Sequence, residues 1–305
     1  GRAARYGLPL ALLLAASSAG AVGTRTFTLD QGEDFKGGDL KGVAIDSAGK
    51  VRAGLSLGTT AVNEASTIWS TLPEKDGAVL LGTGNEGKLL RVKDGKVSVV
   101  AETKALAITS LTEAWGGTVV MGTMPDGKVM KLDKGKVSDL ITLKGTEHIW
   151  SVAFDKKSNS VFAATGPEGK LYRIDQNGTA QVYFDAPEQH LMSVAVAPDG
   201  TVYAGASDKA KLYKITGPGR GSVLYDFART EVRAIAVSAK GEVYAIANEI
   251  QSGAYVPSRK DRMAPEVAGP TQKPPKTRGK GTLFKFETDG TPDQLLDDKE
   301  EHYTS

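Results

Sequence analysis

The feature that most constrains this chain is a repeat. The segment Gly87–Val92 (GKLLRV) recurs as Gly127–Leu132, Gly169–Ile174, Ala210–Ile215 and Gly281–Phe286, at spacings of 40, 42, 41 and 71 residues. A second segment keeps the same step: Ile68–Ser70, Ile108–Ser110, Ile149–Ser151, Leu191–Ser193, Val232–Ala234 and Tyr303–Ser305. The two series run in phase. A repeat of this length is one supersecondary unit that cannot bury its apolar face alone and must stack on its neighbours.

Each unit reads as four strands. In the unit from Ile149, strands are expected over 149–154, 161–164, 171–174 and 180–184, separated by Lys157–Asn159, Gly166–Gly169 and Asp175–Gly178. Side chains alternate along Leu171–Ile174 with the period of a pleated strand. The connections carry Asp-Gly, Glu-Gly and Asn-Gly, which tolerate positive φ. With 36 glycines and 13 prolines against 40% hydrophobic residues, composition favours many short strands over a helical bundle. Four short strands per 40–45 residues is the blade of a β-propeller, so the expected fold is all-β. About six units are present, and Gly42–Val51 is a shorter preceding one that matches Ser193–Val202. Glu300–Ser305 reads as the opening of a further blade. Because an open ring leaves blade faces unpaired, the expectation is a chain cut short of a ring of seven or more blades.

From about Leu40 to the end, the chain resembles bacterial exported β-propellers of the WD-repeat, YVTN, NHL and streptogramin-lyase-like group. Val194–Tyr203 (VAVAPDGTVY) carries the likeness best. The resemblance implies six to eight blades, with ligands or partners taken at the mouths of a central channel. The Trp-Asp dipeptide itself is missing: Ile174-Asp175 and Leu132-Asp133 stand in its place.

Within the units, one column is nearly uniform and two beside it vary. The small column Ser70, Ser110, Ser151, Ser193, Ala234 and Ser305 is expected on the innermost strand, where blades crowd the axis. Serines recurring once per blade with no base beside any of them are packing residues, so no catalytic residue is assigned. Immediately before it stand Trp69, Thr109, Trp150, Met192, Arg233 and Thr304; three residues before it stand Thr67, Ala107, His148, His190, Glu231 and His302. Variation on an otherwise repetitive scaffold marks a grafted surface. Trp69, His148, Trp150, His190 and Arg233 are therefore the candidate ligand-binding residues at one channel mouth, with Trp and Arg the usual hot-spot types. The resemblance offers a blander role for the histidines, as structural ties to the acids of the turn between second and third strands, Glu86, Asp126 and Glu168.

No cysteine is present, which removes disulfides, zinc-thiolate sites and thiol catalysis. Only His148 and His190 sit on adjacent blades, so no metal site and no cofactor are assigned. No P-loop, nucleophile elbow or EF-hand loop occurs, and Asp175–Gly178 reads as a hairpin turn. A net charge of +2 argues against a nucleic-acid partner.

Residues 1–21 read as a signal peptide: Arg2 and Arg5, the apolar run Leu8–Ala16, then Ala19-Gly20-Ala21 with cleavage after Ala21. Its apolar core is about half what spans a bilayer. Residues 22–38 form an N-terminal segment and 39–305 the propeller. Residues 250–280 are a basic, proline-rich insertion of net +5, able to touch anionic polymers or to cover the channel mouth. The expected function is a noncatalytic periplasmic or extracellular module that binds a protein or polysaccharide partner, without membrane insertion after cleavage. The alternative is a propeller lyase or lactonase that uses a channel-bound divalent cation.

Overall fold

The computed structural model describes residues 28–29, 31–35, 37–46, 48–54, 58–250, 280–298 and 302–304. The expected signal peptide and nearly all of the basic insertion lie outside these residues. The chain divides into two compact units, 1–59 and 60–305. The first contains a short 3-10 turn, Gly32–Phe35, and the antiparallel hairpin β1 (Val43–Ile45) and β2 (Val51–Ala53). That hairpin is the abbreviated unit expected at Gly42–Val51.

The second unit is a β-propeller arrangement of five four-stranded antiparallel blades. The first holds β3 (Thr67–Pro73), β4 (Val79–Gly84), β5 (Lys88–Lys93) and β6 (Lys96–Glu102). The second holds β7 (Ala107–Ala114), β8 (Thr118–Met124), β9 (Lys128–Asp133) and β10 (Lys136–Thr142). The third is β11 (His148–Asp155), β12 (Ser160–Gly166), β13 (Lys170–Ile174) and β14 (Ala180–Asp185). The fourth is β15 (Leu191–Val196), β16 (Val202–Ala206), β17 (Lys211–Gly217) and β18 (Arg220–Asp226). The fifth is β19 (Glu231–Val237), β20 (Val243–Glu249), β21 (Lys280–Phe286) and β22 (Pro292–Asp298). In each blade the strands pair in chain order, the topology of successive hairpins. The insertion leaves from the end of β20 and returns at the start of β21, where Glu249 pairs with Lys280. At the far end, Tyr303 exchanges hydrogen bonds with the Asn248 side chain, its N–H donating at 3.0 Å and its carbonyl accepting at 2.8 Å. Residues 302–304 thus run beside the fifth blade without forming a strand of their own.

The core is a series of blade-to-blade seams. One apolar cluster joins the first and second blades through Leu80, Leu89, Ile108 and Met121; a second joins the next pair through Val120, Val129, Ile149 and Val161. A third sets Phe162, Leu171 and Tyr183 against Leu191, Val202 and Ile215, and a fourth sets Tyr203 and Leu212 against Val232, Val243 and Phe286. Each fully buried apolar side chain contributes about 1.5–3 kcal/mol.

The serine column stitches these seams. Ser70 Oγ donates to the Ile108 carbonyl and Ser193 Oγ to the Val232 carbonyl, both at 3.0 Å. Ser110 Oγ accepts from Val152 N–H at 3.0 Å, and Ser151 Oγ from Val194 N–H at 3.3 Å. Each serine therefore reaches the innermost strand of the next blade. The strand behind must be small where this happens: Ser70, Ser110 and Ser193 face Gly82, Gly122 and Gly205, and Ser151 faces Ala164. A Cβ on Gly205 would lie 2.5 Å from Ser193 Oγ and 2.6 Å from Val232 Cγ1.

A further tie lies between the third and fourth blades. Glu188, in the segment leading from β14 to β15, is buried; its Oε2 accepts from the Tyr213 hydroxyl at 2.6 Å and its Oε1 pairs with Lys211 Nζ at 2.9 Å. Burial alone would raise its pKa, but the Tyr213 and Lys211 hydrogen bonds outweigh that and hold the carboxyl below its ordinary 4.5.

Two expectations follow. Ser193→Ala should cost about 1–2 kcal/mol by leaving a buried carbonyl unpaired, and Gly205→Val about 1–3 kcal/mol or more by overpacking the same seam. Urea unfolding measures both, and a neutral Gly205→Val would contradict the seam. Because the folded pKa of Glu188 is depressed, its contribution is complete above pH 4.5 and declines as the pH falls below that value. Glu188→Gln should therefore destabilise at pH 7 and lose its effect progressively as the pH falls below 4.5, read by thermal melting.

Candidate functional site

The first strand of every blade carries the same β-bulge. The register slips between Ile68 and Ser70, Ile108 and Ser110, Ile149 and Ser151, Leu191 and Ser193, and Val232 and Ala234. The residue skipped each time is Trp69, Thr109, Trp150, Met192 or Arg233. A bulged residue has no cross-strand partner and its side chain is re-aimed by the local bend. These five, with Thr304, line one pocket of about 180 Å³, in which their neighbouring serines form much of the rest of the wall. The structure thus brings Trp69, Trp150 and Arg233 of the expected site into one cavity.

His148 and His190 are placed differently: they back Trp150. The Trp150 indole N–H donates to His190 Nδ1 at 3.0 Å, and the His148 ring stacks on Trp150 with centroids 4.8 Å apart and planes 25° apart. His148 and His190 are 6.0 Å apart, centre to centre. The bond to Trp150 requires His190 Nδ1 to be unprotonated. His148 Nδ1 is buried without a hydrogen-bond partner. Burial, and then the neighbouring His190, lower the His148 pKa below 6.5 against the opposing pull of Glu147, so the ring is neutral at pH 7. Gly166 makes room for this cluster, since a Cβ there would lie 1.9 Å from His190 Nδ1. Gly84 does the same for Trp69, whose Nε1 would be 2.2 Å from a Cβ.

The histidine–carboxylate ties offered by the resemblance are not formed at Glu86, Asp126 or Glu168. Glu86 instead bonds Lys88 at 2.6 Å and Glu168 bonds Lys170. For Glu86 and Glu168 the physical reason is proximity, since the lysine two residues on reaches the carboxylate first; Lys128, two residues after Asp126, pairs with Asp139 instead. His302 places its Nε2 2.8 Å from the Glu249 carbonyl. A buried acid that does tie blades together is Glu188, on the connection rather than in the turn.

The pocket wall has one ionisable side chain, Arg233, which makes no hydrogen bond or ion pair with any other described residue. Its strand neighbour Glu231 is buried and accepts from Asn248 Nδ2 at 3.3 Å. The hydroxyls of Ser110, Ser151 and Ser193 are engaged between blades, and Thr109 Oγ1 donates to the Ile149 carbonyl. Among the described residues, no three His, Asp or Glu side chains converge as a metal-binding group.

The bulges were missed in the sequence although a signal for them exists. Ile149 and Val152, Leu191 and Val194, and Ile108 and Leu111 are buried pairs three residues apart. Strict alternation forbids that spacing unless one residue is inserted. Trp115, in the β7–β8 turn, was also missed; it donates to the Asn159 carbonyl at 3.0 Å and borders two open recesses of about 540 and 570 Å³.

No family model and no curated protein matches this chain in sequence. Solved structures do match in fold. Virginiamycin B lyase from Staphylococcus aureus aligns with a TM-score of 0.55 at 13% identity, over 83% of this chain and 76% of that one. A streptogramin B lyase gives 0.55 at 14% identity over 83% and 74% of the two chains. A gluconolactonase from Xanthomonas campestris gives 0.54 at 12% identity over 77% of each. At such identities the likeness is one of architecture. With five four-stranded blades, serine-stitched seams and a bulge-lined axis, this chain is a β-propeller repeat protein.

Proposed function

We propose that this protein is an exported, noncatalytic binding module that takes a segment of a protein or glycan partner into the bulge-lined pocket. The observation that carries this reading is the convergence of Trp69, Trp150, Met192 and Arg233, one from each of four blades, on a single cavity. Aromatic and arginine side chains in a partly enclosed pocket are what concentrates binding energy at interfaces. Export rests on the Arg2/Arg5 flank, the Leu8–Ala16 run and the Ala19-Gly20-Ala21 site.

The rival reading, a lyase or lactonase with a channel-bound divalent cation, draws on the names of the structural neighbours. The residues present do not fit such an ion. The pocket wall supplies a guanidinium where carboxylates or imidazoles would be needed, and Trp150 occupies both histidines, donating its indole N–H to His190 Nδ1 and stacking on His148.

The test is to screen the full chain on peptide and oligosaccharide arrays and measure hits by titration calorimetry. Trp69 is 42% exposed and stacks in no core, so Trp69→Ala should leave the melting temperature nearly unchanged while weakening binding about tenfold or more. Equal affinity for the variant, or turnover of a lactone or cyclic depsipeptide by the wild type, would overturn the reading.

A further inference from the structure

We infer that the pocket recognises a carboxylate adjoining an apolar side chain, as at the free C-terminus of a peptide whose last residue is apolar, with Arg233 as the anion receptor. This rests on the binding role proposed above and assigns its ligand chemistry.

Arg233 is the starting point. A guanidinium in a partly enclosed pocket has given up some of its water, and this one has no protein partner among the described residues to replace it. Its five donors in a planar fork match a carboxylate two-by-two. Among the described residues no acid lines the pocket to repel an incoming anion, and the nearby Glu231 is turned to Asn248. A single cation suits a monoanion. A phosphate group, nearly doubly charged at neutral pH, would call for a second cation, and the described residues of this wall supply none.

The remaining wall decides what carries the carboxylate. Trp69, Trp150 and Met192 offer apolar surface from three blades. Ser193 and Thr109 donate their hydroxyls between blades, whereas Ser110 and Ser151 accept there and keep O–H donors that a carboxylate beside Arg233 can also use. A sugar ring would present several hydroxyls to Trp69, Trp150 and Met192, whose faces offer them no hydrogen-bond partner. An apolar residue with a terminal carboxylate brings one charge and one greasy side chain, and a volume of about 180 Å³ holds a chain end rather than a folded segment.

The experiment uses the full chain and N-acetylated hexapeptides ending in phenylalanine, leucine, methionine or valine, each as the free acid and as the C-terminal amide. Binding is followed by calorimetry and by quenching of tryptophan fluorescence. At least one free acid should bind, its amide should bind about tenfold more weakly or not at all, and Arg233→Gln should lower affinity for the acid by a similar factor. Arg233→Gln should leave the weak affinity for the amide unchanged, which a merely structural role would not do. Acid and amide binding alike, no acid binding at all, or an Arg233→Gln variant with wild-type affinity would overturn the inference. An array ligand that needs Trp69 but ignores Arg233→Gln would leave the binding role standing and remove only this assignment.

Discussion

The structure depends on the close approach of one blade's innermost strand to the next. Four serine hydroxyls bridge four successive seams, and glycine or alanine stands opposite each to let the next strand in. The hydrogen bond is modest in free energy, but the apolar clusters on either side of each seam form only when this spacing is held. Stability in such an array is a sum of local units and nearest-neighbour terms. A fault at one seam is therefore felt at one seam, unlike a cavity in a single central core.

The same local geometry that packs the blades builds the site. Immediately before each serine the chain carries one residue more than its partner strand can pair, and that residue goes to the axis. Scaffold and function are thereby separated by a single position. The serine is constrained by its neighbours on both sides and hardly varies, whereas the bulged residue touches no cross-strand partner and is free to be Trp, Thr, Met or Arg. A propeller can change its ligand without changing its seams, which is why likeness of fold to a lyase and a gluconolactonase does not transfer their chemistry.

Trp150 shows how firmly such a residue can nevertheless be held. Its indole is bonded to His190, stacked on His148 and seated against Gly166. A wall group that is already ordered loses little freedom when a ligand arrives, so more of its contact energy appears as affinity. Trp69, over Gly84 and more open to solvent, is the less restrained of the two.

The amino-acid sequence by itself determined the repeat, the four strands of each complete blade and the identity of the variable column; its count of about six units exceeds the five four-stranded blades of the described residues, because residues 302–304 form no strand. The unit from Ile149 was legible nearly to the residue, with expected strands at 149–154, 161–164, 171–174 and 180–184 against β11 to β14 at 148–155, 160–166, 170–174 and 180–185. These are local properties, written in period-two alternation and in Asp-Gly and Asn-Gly turns. Only the tertiary structure decided that Trp69, Trp150 and Arg233 share a cavity while His148 and His190 stand behind one wall of it. It also decided that the turn acids Glu86 and Glu168 pair with lysines, and that Glu188 ties two blades together. These outcomes turn on which side chain reaches a partner first: Trp150 meets His190 from 40 positions away and Glu188 meets Tyr213 from 25, whereas Glu86 is taken by Lys88 only two positions on, and only the folded chain sets those distances.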